Sequence, residues 1–371
     1  MNQSRREWLK MGALAGAGIG LLPGVSKAAE VSELPPPGAS PAPQQKWGMG
    51  VPPGQNLPPE ATSGPWKNLR AVKEKKVFDI HCHTYETPLQ GQNYKEEGHM
   101  HDIDKWQDYT NELLASMDRH GIAQAAMNPA FEVYEVVVKT SVEPHLDRFI
   151  RSAGMPTQDT KGKLLTPEIV AAVYKTQLER DGCKLIGETA GGAFMNLQTR
   201  YSVKDLKPMA DVVIEHDVPV QIHTGWTATG TASNFGRGYM TAWHWAENMG
   251  NVLTAYPDIK FIMAHTGGAL ATPDDWEAIR LLFSFDNSYI DTAKTPPQIV
   301  AEAVRGVGAE RVLFGSDWNR PQMKEYGPYH MRAVYQHWWN LNTIANADLT
   351  EDQRDWVLYK SSRKLLKLPE A

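Results

Sequence analysis

From Val77 onward, short apolar runs alternate with amphipathic stretches, and that repeat constrains the fold of this 371-residue chain more than any other feature. Strands are predicted at 77–83, 123–128, 149–153, 184–188, 218–223, 260–265, 288–291 and 311–317. Helices are predicted between them, at 106–120, 166–180, 203–216, 242–256, 273–283 and 297–307. Each strand is reached through a helix or a connecting segment, and residues 77–321 approach the roughly 250 of an eightfold (β/α) barrel. Residues 322–371 add helical decoration, including a helix over 352–366. Periodicity alone does not separate a closed α/β TIM barrel from an open doubly wound sheet.

The polar residues at the strand ends do separate them. His81 and His83 are two apart on the first strand, so a regular pleat turns both to one face, which Asp79 shares and Cys82 does not. Later apolar runs end in Glu188, His223, His265 and Asp317, each where the run meets a Gly, Thr or Ser loop. Chemistry in α/β folds sits at that carboxyl end of the strands. The spacing of these residues follows the βα repeat. In a closed barrel they converge on one axial point, whereas in an open sheet the first and eighth strands lie far apart. The set therefore favours the closed form.

The motifs His81-x-His83, Ile222-His223-Thr224-Gly225, His265-Thr266-Gly267-Gly268 and Gly315-Ser316-Asp317 together resemble the amidohydrolase superfamily. Within it they are similar to the amidohydrolase-related (amidohydrolase 2) branch, which includes enzymes of the aminocarboxymuconate-semialdehyde decarboxylase type. The resemblance covers roughly residues 77–320 and is specific for superfamily, not for reaction. It implies that His81, His83, His223 and Asp317 bind a divalent metal, zinc in most cases and manganese in others. It further implies that His265 orients or deprotonates the metal-bound water, or serves as acid/base; Asp317 would hydrogen-bond that water and shuttle its proton. Glu188 has two readings: a ligand bridging two ions, or a carboxylate holding a ligand histidine from behind. One ion or two is therefore open.

A divalent ion held this way lowers the pKa of a bound water towards ~7 for attack on a carbonyl carbon, or orients a carboxylated substrate for loss of CO₂. The loops after the strands carry Trp226, Arg237, Trp318 and Arg320 as candidate substrate-binding residues, with an arginine gripping a carboxylate. Ordinary packing on the barrel rim is the equal alternative for the tryptophans. His99, His101, His244, His330 and His337 are expected at surface or packing positions, and Cys82 and Cys183 as buried, unpaired thiols.

Ahead of the barrel, residues 1–28 resemble a twin-arginine signal peptide. Arg5-Arg6 precede Trp8-Leu9, an apolar stretch over 11–22 and a Ser26-Lys27-Ala28 cleavage site. That stretch is too short for a lasting membrane span. The segment carries Arg5, Arg6, Lys10 and Lys27 against Glu7, so its removal moves the net charge from −5 to −8. Ten prolines over 31–66 make residues 29–76 an extended lead, with Trp47 and Trp66 positioned to pack on the barrel domain at 77–371.

The near balance of 38 Lys+Arg and 43 Asp+Glu argues against nucleic acid or an anionic membrane as partner. The expected partners are a small-molecule substrate and the twin-arginine export machinery, with the periplasm as destination. Barrels of this type often form homodimers. The leading expectation is an exported metal-dependent hydrolase of a small lactone, amide or ester. Its alternatives are a metal-dependent decarboxylase of an aromatic or unsaturated carboxylic acid, and a non-catalytic exported binding protein on a degenerate barrel.

Overall fold

A computed structural model describes residues 64–87, 103–128, 134–154, 165–189, 194, 201–222, 242–265, 277, 280–321 and 333–370. The chain divides into two compact units, Met1–Gly48 and Met49–Ala371. The first unit, with the expected signal peptide, lies outside the described residues, as do Trp47, His99, His101 and His330.

The second unit is built on parallel strands β1 (Val77–Thr87), β2 (Ile122–Met127), β3 (Phe149–Ala153), β4 (Leu185–Thr189), β5 (Val220–Ile222), β6 (Phe261–Met263), β7 (Ser288–Asp291), β8 (Val312–Leu313) and β9 (Trp318–Pro321). They run in sequential order from β1 to β8, and β9 returns to pair with β1. The connecting helices are α1 (Ile103–His120), α2 (Pro167–Arg180), α3 (Lys207–His216), α4 (Ala242–Ala255) and α5 (Pro297–Val307). After the barrel come α6 (Ala333–Asn346) and α7 (Glu351–Asp355), which runs through a π-helical turn, Trp356–Lys360, into α8 (Ser361–Leu365). This is the expected TIM-barrel α/β fold with a C-terminal helical extension.

Local chemistry explains where the helices start. Thr166 caps α2 by accepting from the Ile169 amide, with Pro167 at the first helical position. A capping box between Ser202 and Asp205 opens the turn that leads into α3. Of the predicted 273–283 helix, only a 3₁₀ turn at Leu281–Ser284 and scattered residues fall within the described part.

Two apolar layers hold the barrel together. Phe78, Ile80, Ala126, Leu185, Ile262 and Leu313 fill its interior, joined from below by Leu365 and Leu366 of the C-terminal extension. Burying each large side chain there is worth about 1.5–3 kcal/mol. A second, larger layer lies between strands and helices, and it includes Trp66 at 2% exposure, so part of the proline-rich lead packs on the body. Cys82 and Cys183 are free and buried, as expected, and burial pushes the Cys183 thiol up to about 12.

Two sequence expectations need correction. The eighth strand is not continuous to Asp317: it breaks after Leu313 and resumes at Trp318. Barrel closure is carried through the break by the Ile80 amide donating to the Phe314 carbonyl (2.9 Å) and the Asp317 amide to the His81 carbonyl (2.8 Å). Asp79 also does not share the face of His81 and His83. The register of β1 shifts between Asp79 and Cys82, so Ile80 and His81 both serve the interior. Asp79 instead accepts from the His81 and Ser316 amides (3.0 Å each) and from His337 Nε2 (3.2 Å), a residue of α6.

His337 therefore occupies a packing position, continued by a 2.8 Å bond between its Nδ1 and Ser116 Oγ. Next to it, His120 bonds through Nδ1 to the Ser116 carbonyl at 2.8 Å, and its ring lies 4.9 Å from that of Trp66. Burial, together with the neighbouring His337, pushes His120 down to about 3. The unfolded chain protonates this group near 6.5, so between pH 6.5 and 3 it binds more protons than the folded chain. Stability from this residue is present above pH 6.5 and is lost as pH falls, by about 1.4 kcal/mol per unit. Replacing His120→Gln should flatten the acid limb, read as a smaller difference in urea midpoint between pH 7 and pH 5.

Candidate metal centre

Four strand ends deliver buried ligand atoms to one point. His81, Glu188, His265 and Asp317 each offer an atom within 4.8 Å of the others, forming a buried His/Glu/His/Asp metal site. His83 joins them: its Nε2 lies 3.1 Å from His81 Nε2, 3.3 Å from Glu188 Oε2 and 3.3 Å from Asp317 Oδ1. His81 Nε2 is 3.1 Å from Glu188 Oε2 and 3.5 Å from Asp317 Oδ1. His265 Nε2 is 3.1 Å from Glu188 Oε1 and 3.8 Å from Asp317 Oδ2.

Regular backbone does not achieve this convergence. On β4, pairing with β5 shifts register between Ile186 and Thr189, just where Glu188 turns inward. His265 and Asp317 take the left-handed conformation, with φ of 55° and 50°. Such backbone costs a non-glycine residue of the order of 1–3 kcal/mol and persists where surrounding contacts impose it. For Asp317 those contacts are the bonds of Ser316 to Asp79 and of the Asp317 amide to His81.

The donor chemistry suits a divalent cation. Imidazole nitrogens and carboxylate oxygens in one small buried cluster are ligands for zinc and similar ions. Two buried carboxylates without a compensating cation are costly. Burial opposes a proton on His81, but Glu188 and Asp291 outweigh it and hold the imidazole well above its ordinary value; His83 is raised as well. Burial would also raise the Asp317 carboxyl, yet Lys294 and His265 keep it well below the usual range. The cluster thus attracts positive charge, which a metal supplies by displacing protons.

Glu188 offers its carboxylate to the donor cluster itself. The carboxylate behind a histidine is Asp291, whose Oδ2 lies 2.6 Å from His81 Nδ1. Sequence reading passed over Asp291 although it ends a predicted strand, the signal that marked the other carboxylates. Lys294, whose ammonium pairs with Asp317 Oδ2, carried no such signal. His223, Trp226 and Arg237 lie outside the described residues. Trp318 is 1% exposed and its ring stacks on His337. Arg320 is placed on β9 by backbone pairing with Glu86.

The family model for amidohydrolases (Amidohydro_2) matches residues 78–368, and the chain belongs to that family. With the buried site, this makes it a metal-dependent enzyme of the amidohydrolase class. Solved structures sharing the fold include a 2,6-dihydroxybenzoate decarboxylase complexed with 2,6-dihydroxybenzoate, 17% identical, TM-score 0.51, covering 79% of this chain and 98% of that one. A 5-carboxyvanillate decarboxylase from Novosphingobium aromaticivorans with bound manganese is 16% identical, TM-score 0.52, covering 81% and 100%. A probable 2-pyrone-4,6-dicarboxylic acid hydrolase from Acinetobacter baumannii with citric acid bound is 11% identical, TM-score 0.51, covering 79% and 100%. No curated protein matches the chain. No helix among the described residues is long and apolar enough to cross a membrane.

Stripping the protein with a chelator should lower its melting temperature, and Zn²⁺ or Mn²⁺ should restore it. At free metal a hundredfold above Kd the recovery is about 2.7 kcal/mol. Because the ion displaces protons from raised imidazoles, affinity should increase with pH, about tenfold per unit for each proton displaced. Calorimetric titrations at pH 6 and pH 8 in buffers of different ionisation heat check both the sign and the proton count.

Proposed function

We propose that the chain is a metal-dependent decarboxylase of a small aromatic or unsaturated carboxylic acid. The observation that carries this reading is the Lys294 ammonium, partly exposed beside the buried donor cluster and paired with Asp317 Oδ2. A cation there suits a substrate that arrives as an anion. Two of the structures that share the fold are decarboxylases of aromatic acids, which supports the same choice over the hydrolysis expected first.

The residues divide the work as follows. His81, His83, Glu188 and Asp317 would hold the ion, with His223 as a further ligand. A bound divalent ion supplies a fixed positive charge that orients a substrate oxygen and stabilises negative charge beside it. Lys294 neutralises the outer oxygen of Asp317 and faces the approaching carboxylate. His265 Nε2 stands between Glu188 and Asp317 and carries the proton delivered to the carbon. The bond to the carboxyl group breaks, CO₂ leaves, its electron pair stays on carbon, and that carbon takes the proton.

Hydrolysis is the second reading, favoured by the likeness to the 2-pyrone-4,6-dicarboxylic acid hydrolase, and it uses the same residues. Incubation with 2,6-dihydroxybenzoate, 5-carboxyvanillate and 2-pyrone-4,6-dicarboxylate, scored for CO₂ and for acid release, separates the two. CO₂ from an aromatic acid is expected; acid release without CO₂ would overturn decarboxylation. Binding without turnover of any of the three would favour the binding-protein alternative. His265→Asn should cut turnover about 10²–10⁴-fold with metal retained; loss of metal would make His265 a ligand instead.

The reading extends to location. Residues 1–28 would direct export to the periplasm by the twin-arginine route, residues 29–76 would form the lead, and 77–371 the catalytic domain. Changing Arg5 and Arg6 together to Lys should leave the protein in the cytoplasm on fractionation.

A further inference from the structure

A buried chain of hydrogen bonds runs behind the metal site and joins its two first-strand histidines. His81 Nδ1 lies 2.6 Å from Asp291 Oδ2. That oxygen also accepts from Gln221 Nε2 at 2.9 Å, while Asp291 Oδ1 accepts from the Ala293 amide at 2.6 Å. The other end of the same amide, Gln221 Oε1, accepts from Asn128 Nδ2 at 2.8 Å. The Asn128 backbone carbonyl lies 2.7 Å from His83 Nδ1. Asp291 and Gln221 lie on β7 and β5, Asn128 directly follows β2, and all three are fully buried.

The direction of every bond follows from chemistry. A backbone carbonyl only accepts, and an ionised carboxylate only accepts. Both Nδ1 atoms must therefore donate, so that once an ion displaces the Nε2 protons both Nε2 lone pairs face the cluster. Gln221 makes the arc continuous because a primary amide donates at one end and accepts at the other. Neither Leu nor Glu can do both.

Two glycines make room for it. A Cβ on Gly315 would collide with Asp291 Oδ1, and one on Gly187 would fall 2.6 Å from Asn128 Oδ1. Gly315 and Gly187 therefore lie against the two groups that flank Gln221.

We propose that Gln221 is the positioning residue of the metal site. It touches neither ligand, yet by bridging Asp291 and Asn128 it fixes the Nδ1–H form and the ring orientation of His81 and His83 together. This rests on the cluster holding a divalent ion and is independent of which reaction follows. Partners behind metal-bound histidines typically change affinity by about 10–100-fold when removed.

The test uses the full chain, stripped and titrated with Zn²⁺ or Mn²⁺ against a chromophoric chelator. Gln221→Leu should weaken binding about 10–100-fold. In the zinc form, ¹H–¹⁵N spectra of histidine-labelled protein should show protected Nδ1–H signals from His81 and His83, with the His81 signal lost or broadened in the variant. Asp291→Asn and Gly315→Ala attack the arc from its other side and should give the same affinity loss, so the outcome does not hang on one variant folding. Val220→Ala, on the same strand but packed outward, serves as control: it should lower the melting temperature and leave affinity unchanged. Gln221→Leu or Asp291→Asn protein that is folded and binds within threefold of the unaltered chain would overturn the proposal. An unaltered chain that binds neither ion would overturn the premise itself, whereas failure on the acid panel alone would touch only the reaction.

Discussion

Placing Glu188 and Asp317 out of water beside three imidazoles creates a demand for positive charge, and much of the barrel is organised around it. Desolvating the carboxylates is costly, and only a shared cation or well-placed donors offset that cost. Lys294 meets part of the demand at Asp317 Oδ2, and the raised imidazoles meet another part with protons. Both are monovalent responses to a site whose five donors suit a divalent ion. The strained backbone at His265 and Asp317 belongs to the same account, since each conformation brings a donor to the centre that a relaxed strand would turn away.

The reach of the sequence can be judged at particular residues. Strands 149–153 and 288–291 and the helix 297–307 coincide with β3, β7 and α5, because short apolar cores such as Phe149-Ile150 and Tyr289-Ile290 between loop residues, and a proline at the helix start, leave few alternatives. The pairing of His81 with Asp317 across the closed barrel follows from the same repeat. Reading failed where the backbone departs from a period of two. A regular pleat puts Asp79 on the ligand face, and a register shift sends it outward to His337 instead. No residue type announces such a shift. Gln221 is different: a lone amide inside the apolar run from Val218 to Ile222 was visible in the sequence, and its meaning emerged only once Asn128 and Asp291 lay on either side of it.

Family membership and chemistry operate at different grain. The fold, the ligand cluster and the match over residues 78–368 fix the class of enzyme, while structures that share the fold at 11–17% identity carry different reactions. The same ligands could serve either decarboxylation or hydrolysis. The choice falls to groups around them, and the proposed decarboxylation accordingly rests on Lys294, absent from any motif, rather than on the histidines that reveal the site.

The break between β8 and β9 has a mechanical consequence. A barrel must be sewn shut somewhere, and here the seam runs along β1, where single backbone bonds from Ile80 to Phe314 and from Asp317 to His81 bridge an interruption in the eighth strand. His81 lies on one side of that seam and Asp317 on the other. An ion held by both would act as a rivet across that seam, so loading the centre and fastening the barrel would become one event.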